Sequence, residues 1–314
     1  MIRYPKLYHH LSVSVKAMEF SEISVPREWE RINPESLEGT IMVIGESDTG
    51  KTAFARHLFL QLCRCHTCPE QSRRGRVAFL DCDVGQSTLG LPTTLSLALS
   101  GSEPLSFPPE GDNLSYFVGA TSPRGHMLPT VIGACKLQKK AQELGAKAIV
   151  VDTTGLVSRL AGGGALKQWK IELLEPSILV GLQRGAELEH ILWPWRWDKR
   201  VRVHDLPVSE HVIEKTRTKR ITHREERFRS YFQKAHTLRV PFREVVVFGI
   251  EMMAGGRLLA FQDDQGFAVA LGVARAYDRK AQELTVSTPL SDLEGVSSIR
   301  FGSLKLDPTT GQEL

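Results

Sequence analysis

The chain has 314 residues, 41% of them hydrophobic and 24% charged, and a formal net charge of +4. Such a length holds one substantial α/β unit and a smaller companion, and the apolar fraction fills an ordinary core. No apolar run reaches the ~18 residues of a membrane span, and Met1-Ile-Arg-Tyr-Pro5 lacks a signal-peptide core, so no membrane role and a cytoplasmic location are expected.

Residues 1–38 read as a short N-terminal segment, with Ile23-Ser-Val-Pro-Arg-Glu-Trp29 as an extended lead-in. From there to residue 235 strands and helices alternate. Strand 40–44 runs into Gly45-Glu-Ser-Asp-Thr-Gly-Lys51-Thr52, a full G-x-x-x-x-G-K-T match, and a helix is predicted over 53–64. Gly45 and Gly50 let the backbone bend, so that N–H groups of Glu46, Ser47, Asp48 and Thr49 point at phosphate oxygens beside a helix N-terminus. Lys51 places a point charge on the β/γ-phosphates, and the Thr52 hydroxyl suits Mg2+. A nucleoside triphosphate is the expected ligand.

Five cysteines, an odd number, argue against a disulfide framework. Cys63, Cys65 and Cys68 cluster with His66, but no second Cys/His pair follows at zinc-site spacing, so they read as the end of the first helix. Cys82 and Cys135 read as buried thiols. Strand 76–81 ends in Asp81-Cys-Asp83-Val-Gly85-Gln86. Two carboxylates at a strand end beside a phosphate loop can divide labour, one towards the metal and one towards the acceptor. Strands 114–118, 148–152 and 177–182 and helices 130–144 and 166–174 follow; Asp152, before Thr153-Thr-Gly155, has the position of an acid on the magnesium side. Strands apolar on both faces belong in a helix-covered, mainly parallel sheet, so the expected class is a doubly wound α/β P-loop NTPase. Strands at 243–250, 257–261, 267–273, 284–288 and 298–301 then indicate a smaller β-rich C-terminal domain, residues 236–314.

Two further stretches carry chemistry. Trp193-Pro-Trp195-Arg-Trp197 beside Lys199-Arg200 suits base stacking, with Trp195 as the candidate, although three close tryptophans equally suit a packed corner. Residues 215–232 are the densest basic run, readable as a solvated helix face or as a lid. On a helix Arg220 and Arg224 share a face at i, i+4, and Arg224/Arg227 is the alternative pair.

The P-loop, Asp81-Cys-Asp83-Val-Gly-Gln86, Tyr116-Phe-Val-Gly-Ala-Thr121-Ser122-Pro123, Asp152-Thr-Thr-Gly-Leu-Val157, and Leu182-Gln183 with Glu187-Leu-Glu189 occur here in one order. In that order they resemble the polynucleotide 5′-hydroxyl kinase family of RNA-processing P-loop proteins, from about Gly39 onward. Thr288-Pro-Leu290 and Gly302-Ser-Leu304 fit the same pattern. The resemblance implies transfer of the γ-phosphate of ATP, with Mg2+, to the 5′-hydroxyl of a single-stranded RNA or DNA acceptor. It implies Asp83 as the base, Asp81 and Asp152 with Thr52 on the metal side, and Gln86, Thr121 and Ser122 towards the acceptor. It also implies a lid carrying paired arginines near 215–232, with Arg220 and Arg224 the favoured pair. In several relatives a Thr-x-Asn clasp holds the phosphates; this chain has Thr121-Ser-Pro-Arg-Gly-His126 there. The competing class is a nucleotide-binding switch or scaffold, because Asp152-Thr-Thr-Gly155 resembles a GTPase D-x-x-G element. No guanine-reading Asn-Lys-x-Asp occurs in the chain.

Overall fold

A computed structural model describes residues 26–67, 75–100, 107–109 and 113–314. In chain order the first elements are β1 (Gly39–Gly45), α1 (Lys51–Thr67), β2 (Arg76–Cys82), β3 (Thr94–Leu99) and β4 (Leu114–Phe117). Next come α2 (Met127–Glu143), β5 (Ala146–Thr153), α3 (Gly163–Leu174), β6 (Ile178–Gln183), α4 (Glu189–Arg196) and β7 (Arg202–Pro207). After α5 (Arg217–Phe232) there are only strands and short turns: β8 (His236–Pro241), β9 (Val246–Phe248), β10 (Arg257–Gln262), β11 (Ala268–Asp278), β12 (Glu283–Thr288) and β13 (Ser298–Lys305).

β1 lies between β5 and β6, and β2 and β7 extend the parallel set on either side. Alternate residues of these strands face opposite layers. Met42, Ile44, Ile149, Val151, Ala78 and Leu80 pack with residues of α2, α3 and α4. Ile41, Val43, Ala148, Val150, Val77 and Phe79 pack instead against α1. Both faces are covered, which is why these strands carry almost no polar side chains.

β3 joins β2 antiparallel with no helix between them, and β4 follows antiparallel to β3. The strict alternation read from the sequence therefore breaks after β2. β4 then hands the sheet to β11 through the pair Ser115–Ala268, giving a single 13-stranded sheet that runs on through β10, β13 and β9, with β12 and β8 branching from β11. The second half of α5 is part of this architecture, because Phe228, Tyr231 and Phe232 share a core with Leu258, Ala260, Leu271 and Val273.

Other expectations need correction. β7 and β8 were not foreseen because they are edge segments with mostly part-exposed, polar residues. The strand expected over 243–250 shrinks to β9, since Glu244 N–H turns back onto Pro241 O at 3.0 Å and Gly249 enters the left-handed region at φ 75°. The lead-in is not extended where it is described: Arg27–Arg31 is a 3-10 turn, and Trp29 packs edge-on against Phe54 with ring centroids 5.2 Å apart. Residues 1–25, Cys68 and the rest of its turn lie outside the described residues. Cys82 is buried but Cys135 is only half-buried. Among the described residues no group of three or more His, Cys, Asp or Glu side chains could hold a metal ion, and no helix is long and apolar enough to cross a membrane.

Candidate active site

The P-loop joins β1 to α1 at the carboxyl ends of the parallel strands, where a doubly wound sheet opens its ligand crevice. Gly50 has φ 81°, and Asp48 is held in the left-handed region at φ 55° despite its side chain. Three contacts fix that strained residue. Arg184 Nη2 donates to the Asp48 carbonyl at 2.6 Å, Lys215 N–H donates to its carboxylate at 3.3 Å, and Arg220 forms an ion pair with the same oxygen. Lys51 is buried and its ammonium donates to the Glu46 carbonyl and, at 3.4 Å, to Thr49 Oγ1. Burial pushes the Lys51 amine down, while the Asp152 and Asp83 carboxylates oppose that fall.

Thr52 and Asp152 meet directly: the hydroxyl donates to Asp152 Oδ2 at 2.6 Å. Asp152 Oδ1 is buried with no partner among the described residues. Burial, reinforced by the charge of Asp81, raises the Asp152 carboxyl to about 7. An orphaned buried carboxylate oxygen next to a hydroxyl is a donor set of the all-oxygen kind that Mg2+ takes, so the residues fit that ion.

The two carboxylates after β2 separate in role. Asp81 Oδ2 accepts from Ser87 Oγ, from Thr88 N and Oγ1, and from Leu89 N, while Oδ1 accepts from Asp83 N. Both oxygens are thus occupied by their own turn, at a fully buried position that pushes the carboxyl up. The geometry does not present Asp81 to a metal on the P-loop side. Asp83 is half-buried, and its Oδ1 accepts from Gly85 N at 2.9 Å and Gln86 N at 3.0 Å. Oδ2 has no hydrogen-bond partner among the described residues.

The remaining predicted residues divide. Gln86 Nε2 donates to the Arg220 carbonyl at 3.2 Å, linking the Asp83 turn to α5. A side chain at Gly85 would lie 2.7 Å from the Thr121 carbonyl, so the Thr121 loop sits directly against that turn. Ser122 is exposed, and its hydroxyl accepts from Arg124 N at 3.3 Å. Arg220 and Arg224 project from the N-terminal half of α5, whereas Arg227 is buried and donates to the Gly90 carbonyl. The Arg224/Arg227 pairing is therefore ruled out as a common face on the phosphates. Trp195 is a core residue. Its ring is buried on the core side of α4, with the Arg200 guanidinium 5.7 Å from its centroid, so it is not presented for stacking on a base. Trp193 and Trp197 are the exposed members, packed on each other with centroids 6.0 Å apart.

Residues 45–234 match the profile of the mRNA cleavage and polyadenylation factor CLP1 P-loop family. The chain belongs to that family. Among curated relatives, a polyribonucleotide 5′-hydroxyl-kinase of Pyrococcus abyssi is 28% identical, over 91% of this chain and 92% of that one. The enzyme of the same name from Methanocaldococcus jannaschii is 27% identical over 87% and 88%. A CLP1 homologue of Anopheles gambiae is 26% identical over 69% of this chain but only 52% of its own length. The solved Clp1p–Pcf11p complex shares the fold, with a TM-score of 0.60 and 13% identity over 88% of this chain and 77% of that one.

Two residues of this CLP1-type site escaped the sequence reading. Arg184 follows β6 as an ordinary loop arginine, and only the fold brings it to Asp48. Glu313 is worse hidden: it accepts from Arg224 Nε at 2.8 Å and from Thr121 Oγ1 at 3.4 Å across 89 and 192 positions of sequence. No local pattern could signal either contact.

Proposed function

We propose that the chain is an ATP-dependent polynucleotide 5′-hydroxyl kinase, with RNA as its acceptor. The observation that carries this reading is the open Oδ2 of Asp83, held in a turn that touches both the Thr121 loop and α5. A carboxylate so placed accepts the proton of an attacking hydroxyl. The names of relatives spanning nearly the whole chain support the same activity.

ATP lies along the P-loop, with residues 45–52 on its phosphates and Lys51 as the point charge. Thr52 and Asp152 would hold Mg2+, which when bound neutralises charge on the phosphate oxygens. Asp81 holds the turn that presents Asp83. Gln86, Thr121 and Ser122 face the acceptor, and Arg220 and Arg224 face the transferring group. Residues 39–235 then form the kinase unit and 236–314 its C-terminal companion, working in the cytoplasm.

Incubation with γ-labelled ATP and matched 5′-hydroxyl RNA and DNA oligonucleotides tests the reading. Labelled RNA is expected from the native chain, and none from Lys51→Ala. Asp83→Asn is expected to bind ATP and lose transfer. If Asp83→Asn transferred normally, the base would lie elsewhere; ATP hydrolysis without any transfer would support a nucleotide switch instead.

A further inference from the structure

An arginine on a lid is useful only if its guanidinium is already aimed, because the long side chain otherwise loses rotamer freedom at the moment of reaction. In this chain Arg224 is aimed from outside its own helix. The contact to Glu313 uses the Nε–H alone. The two terminal NH2 groups of Arg224 have no other partner among the described residues, so the end of the fork that suits two phosphate oxygens stays open. The other carboxylate oxygen of Glu313 takes the Thr121 hydroxyl.

Glu313 is itself firmly placed. Residues 307–312 form a turn in which Asp307 accepts from Thr309 N and Thr310 Oγ1, and Asp307 N–H donates to the Gln312 carbonyl at 2.9 Å. Leu306 pairs with Glu313 as an antiparallel bridge, and Leu314 N–H donates to the Lys305 carbonyl at 3.0 Å. The turn lies on α5 so closely that a side chain at Gly311 would stand 2.1 Å from the Glu225 carbonyl. At the same C-terminal end of β13, Ser303 and Leu304 N–H groups donate to the Gly119 carbonyl, two residues before Thr121. One stretch of chain therefore grips both the lid and the Thr121 loop.

We propose that Glu313 is a positioning residue that holds the Arg224 guanidinium and the Thr121 hydroxyl as one unit between the transferring group and the acceptor. The proposal rests on the kinase reading above. The C-terminal unit then completes the acceptor side of the site, while the nucleotide side is built by residues of the kinase unit, from the P-loop to Arg220.

Steady-state transfer to a 5′-hydroxyl RNA oligonucleotide, with ATP and RNA varied separately, tests it in Glu313→Gln, Arg224→Ala and the double variant. Glu313→Gln is expected to lower kcat/KM for RNA about tenfold while the KM for ATP stays within about twofold. The melting temperature should hold, since glutamine keeps the side chain's shape and an acceptor oxygen for Arg224 Nε. The double variant should transfer within about twofold of Arg224→Ala alone, because a residue that acts through Arg224 has nothing further to lose. Thr121→Val provides a second arm, in which Glu313→Gln should still lower transfer severalfold, because Glu313 still holds Arg224 there. Unchanged or faster transfer by Glu313→Gln, or losses that multiply in the Glu313→Gln/Arg224→Ala double variant, would overturn the proposal and leave the kinase reading intact. A native chain that binds ATP and transfers nothing would overturn both.

Discussion

Asp152 carries the sharpest conflict between folding and function at the level of single residues. Its carboxyl is raised from an ordinary 3.8 to about 7 by burial and by the neighbouring Asp81. The unfolded chain therefore releases this proton first, and the residue's contribution to stability falls as pH rises from about 4 to about 7 and stays low above that. Asp152→Asn removes the ionised form altogether. Thermal melts should show a gain of a few degrees at pH 8 that disappears near pH 4, together with loss of transfer at every pH. A variant less stable than the parent at pH 8 would contradict the burial argument. The strand-end positions of the P-loop, Asp83 and Asp152 were legible in the sequence because each stands next to a recognisable turn, while their roles rest on the proposal. Asp81 looked equivalent to Asp83 for the same reason. Only the turn of residues 83–89 closing back on Asp81 separates them, and no spacing rule reports which oxygen is already bonded.

Among elements, α5 combines two tasks along one helix. Its first half pairs Arg220 with Asp48 of the P-loop and Arg224 with Glu313, and its second half buries Phe228 and Phe232 in the C-terminal core. The two halves should respond differently to truncation. Arg224→Ala is expected to lower turnover by about 10²-fold with a smaller change in ATP affinity and no change in melting temperature, as a contact to the transition state does. Phe228→Ala leaves a cavity and should cost about 3–5 kcal/mol, read as a lowered melting temperature. If both variants lost stability alike, the helix would have no separate lid half. The basic run was visible in the sequence, but its aromatic residues at 228, 231 and 232 were the signal that half of it is core. The tryptophan cluster misled for a related reason. Trp195 faces the sheet while Trp193 and Trp197 face solvent, an orientation set by where α4 packs and not by composition.

The whole molecule is only mildly basic, at +4, so attraction for an acceptor has to come from local clusters such as Arg220, Arg224 and the exposed lysines near them. Binding of a 5′-hydroxyl oligonucleotide should nevertheless weaken at least about tenfold between about 50 and 200 mM salt, because phosphate contacts release counterions. Salt-insensitive binding would point to a surface held by stacking instead. The parallel half of the fold was readable from its apolar strand runs. Its continuation through β4 into β11 was not, because that joint is a single residue pair between segments 153 positions apart.

The central place of β1 has a consequence for how the protein is made. β1 is the first strand synthesised after residue 38, yet its two neighbours, β5 and β6, begin at residues 146 and 178. Contacts so distant along the chain form slowly and expose unpaired strand edges while they wait. On the ribosome, an apolar strand bearing the phosphate loop stands with both edges open until more than a hundred further residues have emerged. The loop acquires its shape, and with it any grip on ATP, only after Asp152 and then Arg184 have come out to meet it.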